Sequence, residues 1–341
     1  MIESNAIAFI FFIFGICFGS FLNVCIVRWP HEQSVVSPGS KCISCQKPIA
    51  WFDNIPLLSY LLLGGKCRNC KAKFSIRYFF IELLTGVTFV VFYAYYGLDY
   101  ILIPYLFMVC CFIIATFVDF GHRIIPDQVS VGGLVAGLIF SGIFPALHQT
   151  DPQVLLFGRW GMRCLVGLLV VTSVLESIFF RDKTETTVDD QENKIFELWT
   201  IVIVSAAIIF DLFVEFVLPA LKLTGLSQHL LSLDAAVIGF MIGGGSIYAM
   251  GVLGDFLFKK ESMGGGDVKL LAMVGAFLGW KASLLAFFIA PFFGALFGLI
   301  EKVRTNDTTI AYGPFLVLGS LIALFWEDQI IQYILGLYGL R

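Results

Sequence analysis

Long apolar runs separated by short polar turns dominate this chain. A helix needs roughly 20 apolar residues to cross the hydrocarbon of a bilayer, and lipid excludes irregular backbone because its polar groups find no partners there. Ten runs meet or approach that length, at about 6 to 27, 77 to 96, 101 to 118, 129 to 147, 162 to 180, 197 to 219, 235 to 257, 268 to 280, 282 to 300 and 313 to 336. The eighth is short and interrupted by glycine. The pattern predicts an all-α polytopic membrane protein of about eight to ten transmembrane helices, with one small cytoplasmic loop of zinc-ribbon type between the first two runs.

The polar segments set the topology. Between Arg28 and Arg77 lie eight basic residues, Arg28, Lys41, Lys47, Lys66, Arg68, Lys71, Lys73 and Arg77, against the two acids Glu32 and Asp53. Such an excess marks a cytoplasmic loop. Alternating from there, the loops near 119–128, 181–196, 258–267 and 301–312 also face the cytoplasm, and they carry Arg123, Arg181, Lys183, Lys259, Lys260, Lys302 and Arg304. Residues 181–196 mix charges with no periodic apolar face and read as a flexible connector. The expected organisation is a first span over 1–27, a cysteine loop over 28–77, helices over 78–147, an insertion with two extra spans over 148–234, and a last group of helices over 235–341. Glu3 in place of a basic cluster, and the lack of a small-x-small cleavage pattern, make the first run a retained span rather than a removed signal peptide.

Composition agrees: 58% of the residues are apolar and only 14% charged, with a mean hydropathy of +0.89. The bilayer is the principal partner. A net charge of −3 offers no field for nucleic acid, and none is expected as a partner.

Of nine cysteines, Cys17, Cys25, Cys110, Cys111 and Cys164 lie within apolar runs, where a thiol behaves as a small hydrophobe. The other four differ. Cys42-Ile-Ser-Cys45 and Cys67-Arg-Asn-Cys70 are two C-x-x-C pairs in one polar loop, a spacing in which two tight turns aim four thiolates at one zinc ion. Lys41, Lys66, Arg68 and Lys71 would offset their negative charge. Two disulfides are the alternative, disfavoured where thiols are kept reduced. Four thiolates leave no open coordination position, so the ion would be structural.

Two acids sit at the margins of apolar runs. Asp119 closes the third, in Ala115-Thr116-Phe117-Val118-Asp119-Phe120-Gly121-His122-Arg123-Ile124-Ile125-Pro126-Asp127, and Asp267 opens the eighth, in Met263-Gly264-Gly265-Gly266-Asp267-Val268-Lys269. A carboxylate there is costly and is a functional candidate by default. Both fall on the cytoplasmic side by the topology above. Two carboxylates sharing one water cannot both ionise readily: one can act as general base and the other can protonate a departing amine, which is peptide hydrolysis without metal or covalent intermediate. Glycines before Asp267 would let backbone and water approach, and Pro126 redirects the chain after Asp119. Ordinary helix capping is the bland reading of each acid alone. Asp127 and His122 are nearby competitors, one a cap and the other a solvated loop residue.

Four stretches, in this order, resemble the type IV prepilin peptidases, bifunctional leader peptidase and N-methyltransferase enzymes of the bacterial inner membrane. They are Gly19-Ser20-Phe21-Leu22-Asn23-Val24 with Arg28-Trp29-Pro30, the paired C-x-x-C loop, the Asp119 to Asp127 string, and Gly264-Gly265-Gly266-Asp267-Val268-Lys269-Leu270. The resemblance implies removal of a basic leader from prepilins or type II secretion pseudopilins, with Asp119 and Asp267 as the catalytic pair. It further implies methylation of the new N-terminus with S-adenosylmethionine as donor, the 28–77 loop and Arg77-Tyr78 through Gly86 belonging to that half. Members of the family typically have eight spans. The extra pair here is even in number and leaves the sidedness of Asp267 unchanged. Three rivals remain: a protease lacking methyl transfer, a non-catalytic pilus or secretion assembly protein, and a presenilin-like protease, against which the cysteine loop argues.

Overall fold

The structure is a computed structural model that describes residues 2–148, 151–179, 189–221, 224–258, 263–305 and 311–339. Among these the regular elements are all helices, with two isolated β-bridges and no strand. In chain order the helices are α1 (Ile2–Arg28), α2 (Leu58–Leu62), α3 (Arg77–Tyr96), α4 (Leu102–His122), α5 (Asp127–Ile143), α6 (Pro152–Phe179), α7 (Asp189–Leu212), α8 (Leu218–Leu221), α9 (Thr224–Phe258), α10 (Gly265–Thr305) and α11 (Gly313–Leu337). Seven are long and apolar enough to cross a membrane, and α5 is a shorter apolar helix. This is a multi-pass membrane protein. Many large apolar side chains point outward, among them Phe9, Phe14, Phe157, Phe288 and Phe292, as lipid-facing surfaces require.

The chain divides into two compact units, Met1–Val129 and Ser130–Arg341. In the first, α1 packs on α3 through Gly15 and Gly19, one helical turn apart. A Cβ on either would lie 2.7 Å from a backbone Cα of α3, at Gly86 and Glu82 respectively. Lipid supplies no hydrophobic drive between helices, so such close backbone approach is how they gain contact. Burial of Phe89, Phe92, Met108 and Phe112 completes this core.

In the second unit, Gly239 and Gly275 perform the same service for α9 and α10, each placing a hypothetical Cβ about 2 Å from the other's carbonyl oxygen (2.1 and 2.0 Å). A Cβ on Gly243 would meet both the Leu271 carbonyl at 2.5 Å and the Ser283 Cβ at 3.2 Å. Twelve residues of straight helix would hold those two neighbours about 18 Å apart. Therefore α10 folds back on itself, and the turn is Gly279, whose φ of 82° suits glycine alone. The two limbs correspond to the eighth and ninth apolar runs, and the first, of about 21 Å, is shorter than a full crossing. At the break, Ser141 donates to the Ala276 carbonyl at 3.3 Å and the His148 Nε2 lies 3.1 Å from the same oxygen, so a carbonyl at the end of the first limb is satisfied from outside.

The segment around α6 to α9 holds a feature that sequence reading missed. Arg159 and Arg163 on α6 face Asp211 of α7, Glu215 in a π turn over Phe213–Val217, and Asp234 of α9. Arg159 donates to Asp234 at 2.6 Å and Arg163 to Asp211 at 2.6 Å and to Glu215. Arg159 Nε also lies 2.8 Å from Asp211 Oδ1, an ion pair whose N–H is not aligned for a hydrogen bond. Asp211 and Asp234 are fully buried. The signal was available: Arg159 with Arg163, and Asp211 with Glu215, are each spaced i, i+4 on otherwise apolar helices, which stacks them on one face.

One expectation needs correction. Of the connector expected at 181–196, residues 181–188 lie outside the described residues, and from Asp189 the chain is already helical in α7.

Candidate functional site

The cysteine loop is built from one turn used twice. Cys42 donates its N–H to Lys47 O and accepts from Gln46 N, while Cys67 donates to Ala72 O and accepts from Lys71 N. Gln46 and Lys71, each following the second cysteine of its pair, take left-handed φ values of 59° and 60°. A β-bridge closes each turn, Lys41 with Pro48 and Lys66 with Lys73. The result gathers the sulphurs of Cys42, Cys45, Cys67 and Cys70 within 4.8 Å of one another. All four thiols are free, and Cys42 Sγ lies 3.7 Å from Cys70 Sγ. A zinc ion with Zn–S bonds of about 2.3 Å would need sulphurs about 3.8 Å apart, so the donors and their spacing fit a tetrahedral metal.

Electrostatics within the cluster agree. Backbone N–H donation, first from Cys45, brings the Cys42 thiol down to about 6. Cys70 is pushed up to about 11: the Ala72 N–H opposes this, but burial and the sulphurs of Cys45, Cys42 and Cys67 outweigh it. Four thiolates at this distance repel unless a cation sits among them. Arg68, expected to offset that charge, is committed elsewhere: its Nη2 donates to Asp53 at 2.6 Å and its Nε at 2.8 Å, and the guanidinium lies over Phe52. This bidentate pair ties the second cysteine turn to the helical turn Trp51–Asn54.

The Gly19 to Asn23 stretch fastens the loop to the helices. Gly19 lets α1 meet α3 at Glu82, Ser20 hydrogen-bonds the Glu82 carboxyl, and Asn23 donates to Tyr78 O at 3.0 Å. Glu82 in turn accepts the N–H of Leu57 at 2.8 Å. Leu57 has a φ of 59° and closes a tight turn in which Leu58 N reaches Pro56 O at 2.6 Å. That strained conformation costs on the order of 1–3 kcal/mol and persists only where its surroundings hold it. The sequence motif is thus a clamp, and sequence reading had named Glu82 only as part of a matching stretch.

Asp119 is buried in the last turn of α4, and its carbonyl accepts the N–H of Arg123, which ends the helix in a left-handed conformation with φ of 56°. His122 is exposed with its ring edge-on to His31, 5.4 Å between centroids, and Asp127 is exposed in the first turn of α5. Asp267 is half-buried in the first turn of α10, where its N–H donates to Gly264 O at 3.1 Å. Open space surrounds Gly265, and a Cβ at Gly264 would stand 3.6 Å from the Asp267 carboxylate. Tyr312, just before α11, was not anticipated. Its hydroxyl is buried without a hydrogen-bond partner among the described residues and interacts electrostatically with Asp267. Asp119 belongs to the first unit and Asp267 to the second.

Two family models match the chain. Residues 13–96 match the Bacterial Peptidase A24 N-terminal domain, and residues 169–299 match the Type IV leader peptidase family; together these take in well over half of the sequence. The chain belongs to the type IV leader peptidase family. Its α1, cysteine loop and α3 make up the N-terminal match, Asp267 lies in the second, and Asp119 lies between them. Among relatives of this leader peptidase family, a Myxococcus xanthus protein named prepilin leader peptidase/N-methyltransferase is 30% identical over 86% of this chain and 63% of its own length. Proteins of the same name from Pseudomonas aeruginosa and Aeromonas salmonicida are each 26% identical, covering 98% and 92% of those proteins. No solved structure matches this family member.

Proposed function

We propose that this chain is an aspartic endopeptidase of the bacterial inner membrane that removes the basic leader of type IV prepilins or type II secretion pseudopilins and then methylates the new N-terminus. The observation that carries the reading is Asp267, at a glycine-opened helix start within the segment that matches the leader peptidase model. Relatives over nearly the whole chain bear both activities in their names.

Asp119 and Asp267 are the catalytic carboxylates of this reading, facing the cytoplasm, as the even number of spans counted between them favours. One takes a proton from water, whose oxygen attacks the scissile carbonyl carbon; the other gives its proton to the departing amine nitrogen as the C–N bond breaks. The pair titrates as a unit. Burial of Asp119 and half-burial of Asp267 suit such proton sharing. In this proposal Cys42, Cys45, Cys67 and Cys70 hold a structural zinc that fixes the loop of the methyltransferase half. S-adenosylmethionine would supply the methyl: the new amine's lone pair takes the methyl carbon, the C–S electrons stay on sulphur as a neutral thioether, and the amine's proton leaves to solvent.

Purified protein should cleave a leader-bearing pilin and incorporate labelled methyl into the product. Asp119→Asn and Asp267→Asn should each lower cleavage by at least about a thousandfold, the scale of losing an acid–base catalyst. Leader removal at the wild-type rate by either folded variant would overturn the assignment.

A further inference from the structure

Beside the cysteine cluster, within the first unit, lies a cavity of about 390 Å³. Its walls come from Cys42, Ile43 and Ser44 of the first cysteine turn, from Val27 of α1, and from the stretch Ala72 to Tyr78 that enters α3. That volume lies within the roughly 300–1,000 Å³ of small-molecule sites. Two cations line it, Lys73 and Arg77, and neither side chain has a hydrogen-bond or ion-pair partner among the described residues. The Nε of Arg77 is buried all the same. The guanidinium is half-buried and lies over the Tyr78 ring, 5.8 Å to its centroid, a contact that leaves its planar fork of donors for an anion. The lining also includes the aromatic residues Phe74 and Tyr78 and the hydroxyl-bearing Ser44 and Ser75, whose Oγ accepts the Arg77 N–H at 3.2 Å.

We infer that this cavity is where S-adenosylmethionine binds, its carboxylate on Arg77 and Lys73. The inference rests on the methyl-transfer half of the proposed function. The lining combines three chemistries that this donor requires together: a cationic fork for the amino-acid carboxylate, aromatic faces for adenine or the sulfonium, and hydroxyls for the ribose. A phospholipid headgroup would need only the first. Because Cys42 forms part of the wall, the inference also explains why a metal-held turn belongs to a methyl-transfer site: it keeps one side of the cavity in place.

The test is binding of S-adenosylhomocysteine to the full chain in nanodiscs containing phosphatidylglycerol, by equilibrium dialysis with labelled probe and zinc content measured on each sample. Arg77→Gln should weaken binding at least about tenfold, the loss of a charge-assisted pair, and Lys73→Gln about threefold. Lys73 is exposed, so its variant tests the site without disturbing packing. Lys47→Gln, a charge loss on the same loop outside the cavity, should bind as wild type. Unchanged affinity in both Arg77→Gln and Lys73→Gln overturns the assignment. Retained phosphatidylglycerol that is lost from Arg77→Gln while probe binding is not would make the cavity a headgroup site and overturn it equally. Wild-type protein that binds probe but shows no dependence on these cations refutes the location alone. If it neither binds probe nor methylates a cleaved pilin, methyl transfer itself fails, and the location with it.

Discussion

In the cysteine loop four sulphurs converge in a polar segment, whereas between α6 and α9 two guanidiniums and three carboxylates converge among apolar side chains. The loop has few large buried residues of its own, and its turns take their shape from backbone bonds and from whatever neutralises the thiolates. The charge network carries its own counterions. In water a cation can be recruited and released; within lipid it must be supplied by the chain, because an unpaired charge there is far more costly. The loop should therefore respond to chelators and acid, and the network to mutation alone.

The largest expected effect is on the network. Arg159→Ala strands Asp234 and leaves Asp211 to share Arg163 with Glu215, and should cost about 3–5 kcal/mol, as breaking a buried pair does, read as a fall in unfolding temperature in detergent. Replacing Arg159, Asp211 and Asp234 together with Met or Leu should be nearly neutral, since no charge is left without its counterpart. A mild single variant would erase the contrast with the loop.

Next comes the metal. Cys42→Ser should drop bound zinc from about one per chain to a small fraction, with the loop cut readily by protease while the helices stay intact, because a structural site loses most of its affinity with one ligand. Chelation of the wild type should reproduce this, and readdition of zinc should reverse it. The Arg159 variant should keep its zinc.

The smallest effect concerns Asp53, whose carboxyl the Arg68 guanidinium holds below the usual carboxylate range, through hydrogen bonds first. The folded value lies below the unfolded one, so the tether contributes fully above about pH 4 and is lost as pH falls through the lowered value. Asp53→Asn should raise protease sensitivity of the loop slightly at neutral pH and remove the tether's share of the further rise seen in acid, leaving the share due to the thiolates. An acid response equal to that of the wild type would assign the tether to other groups.

Apolar run length and charge asymmetry sufficed to count helices, even separating the two limbs of α10, because crossing lipid demands length and backbone satisfaction before any neighbour is chosen. Local spacing likewise determined that Cys42, Cys45, Cys67 and Cys70 sit on paired turns, since two residues between cysteines leave a chain little choice. What side chains do across helices was settled only by packing. Arg68 turned to Asp53 rather than to the thiolates, Glu82 reached from α3 to hold Leu57, and Tyr312 came to stand near Asp267. The Arg159 network joins residues up to 75 positions apart, and the Ser141 and His148 contacts to Ala276 span more than 120. A sequence states which groups lipid will not tolerate alone; which partner meets each of them depends on how glycine-lined helices approach, and that is decided by the whole fold.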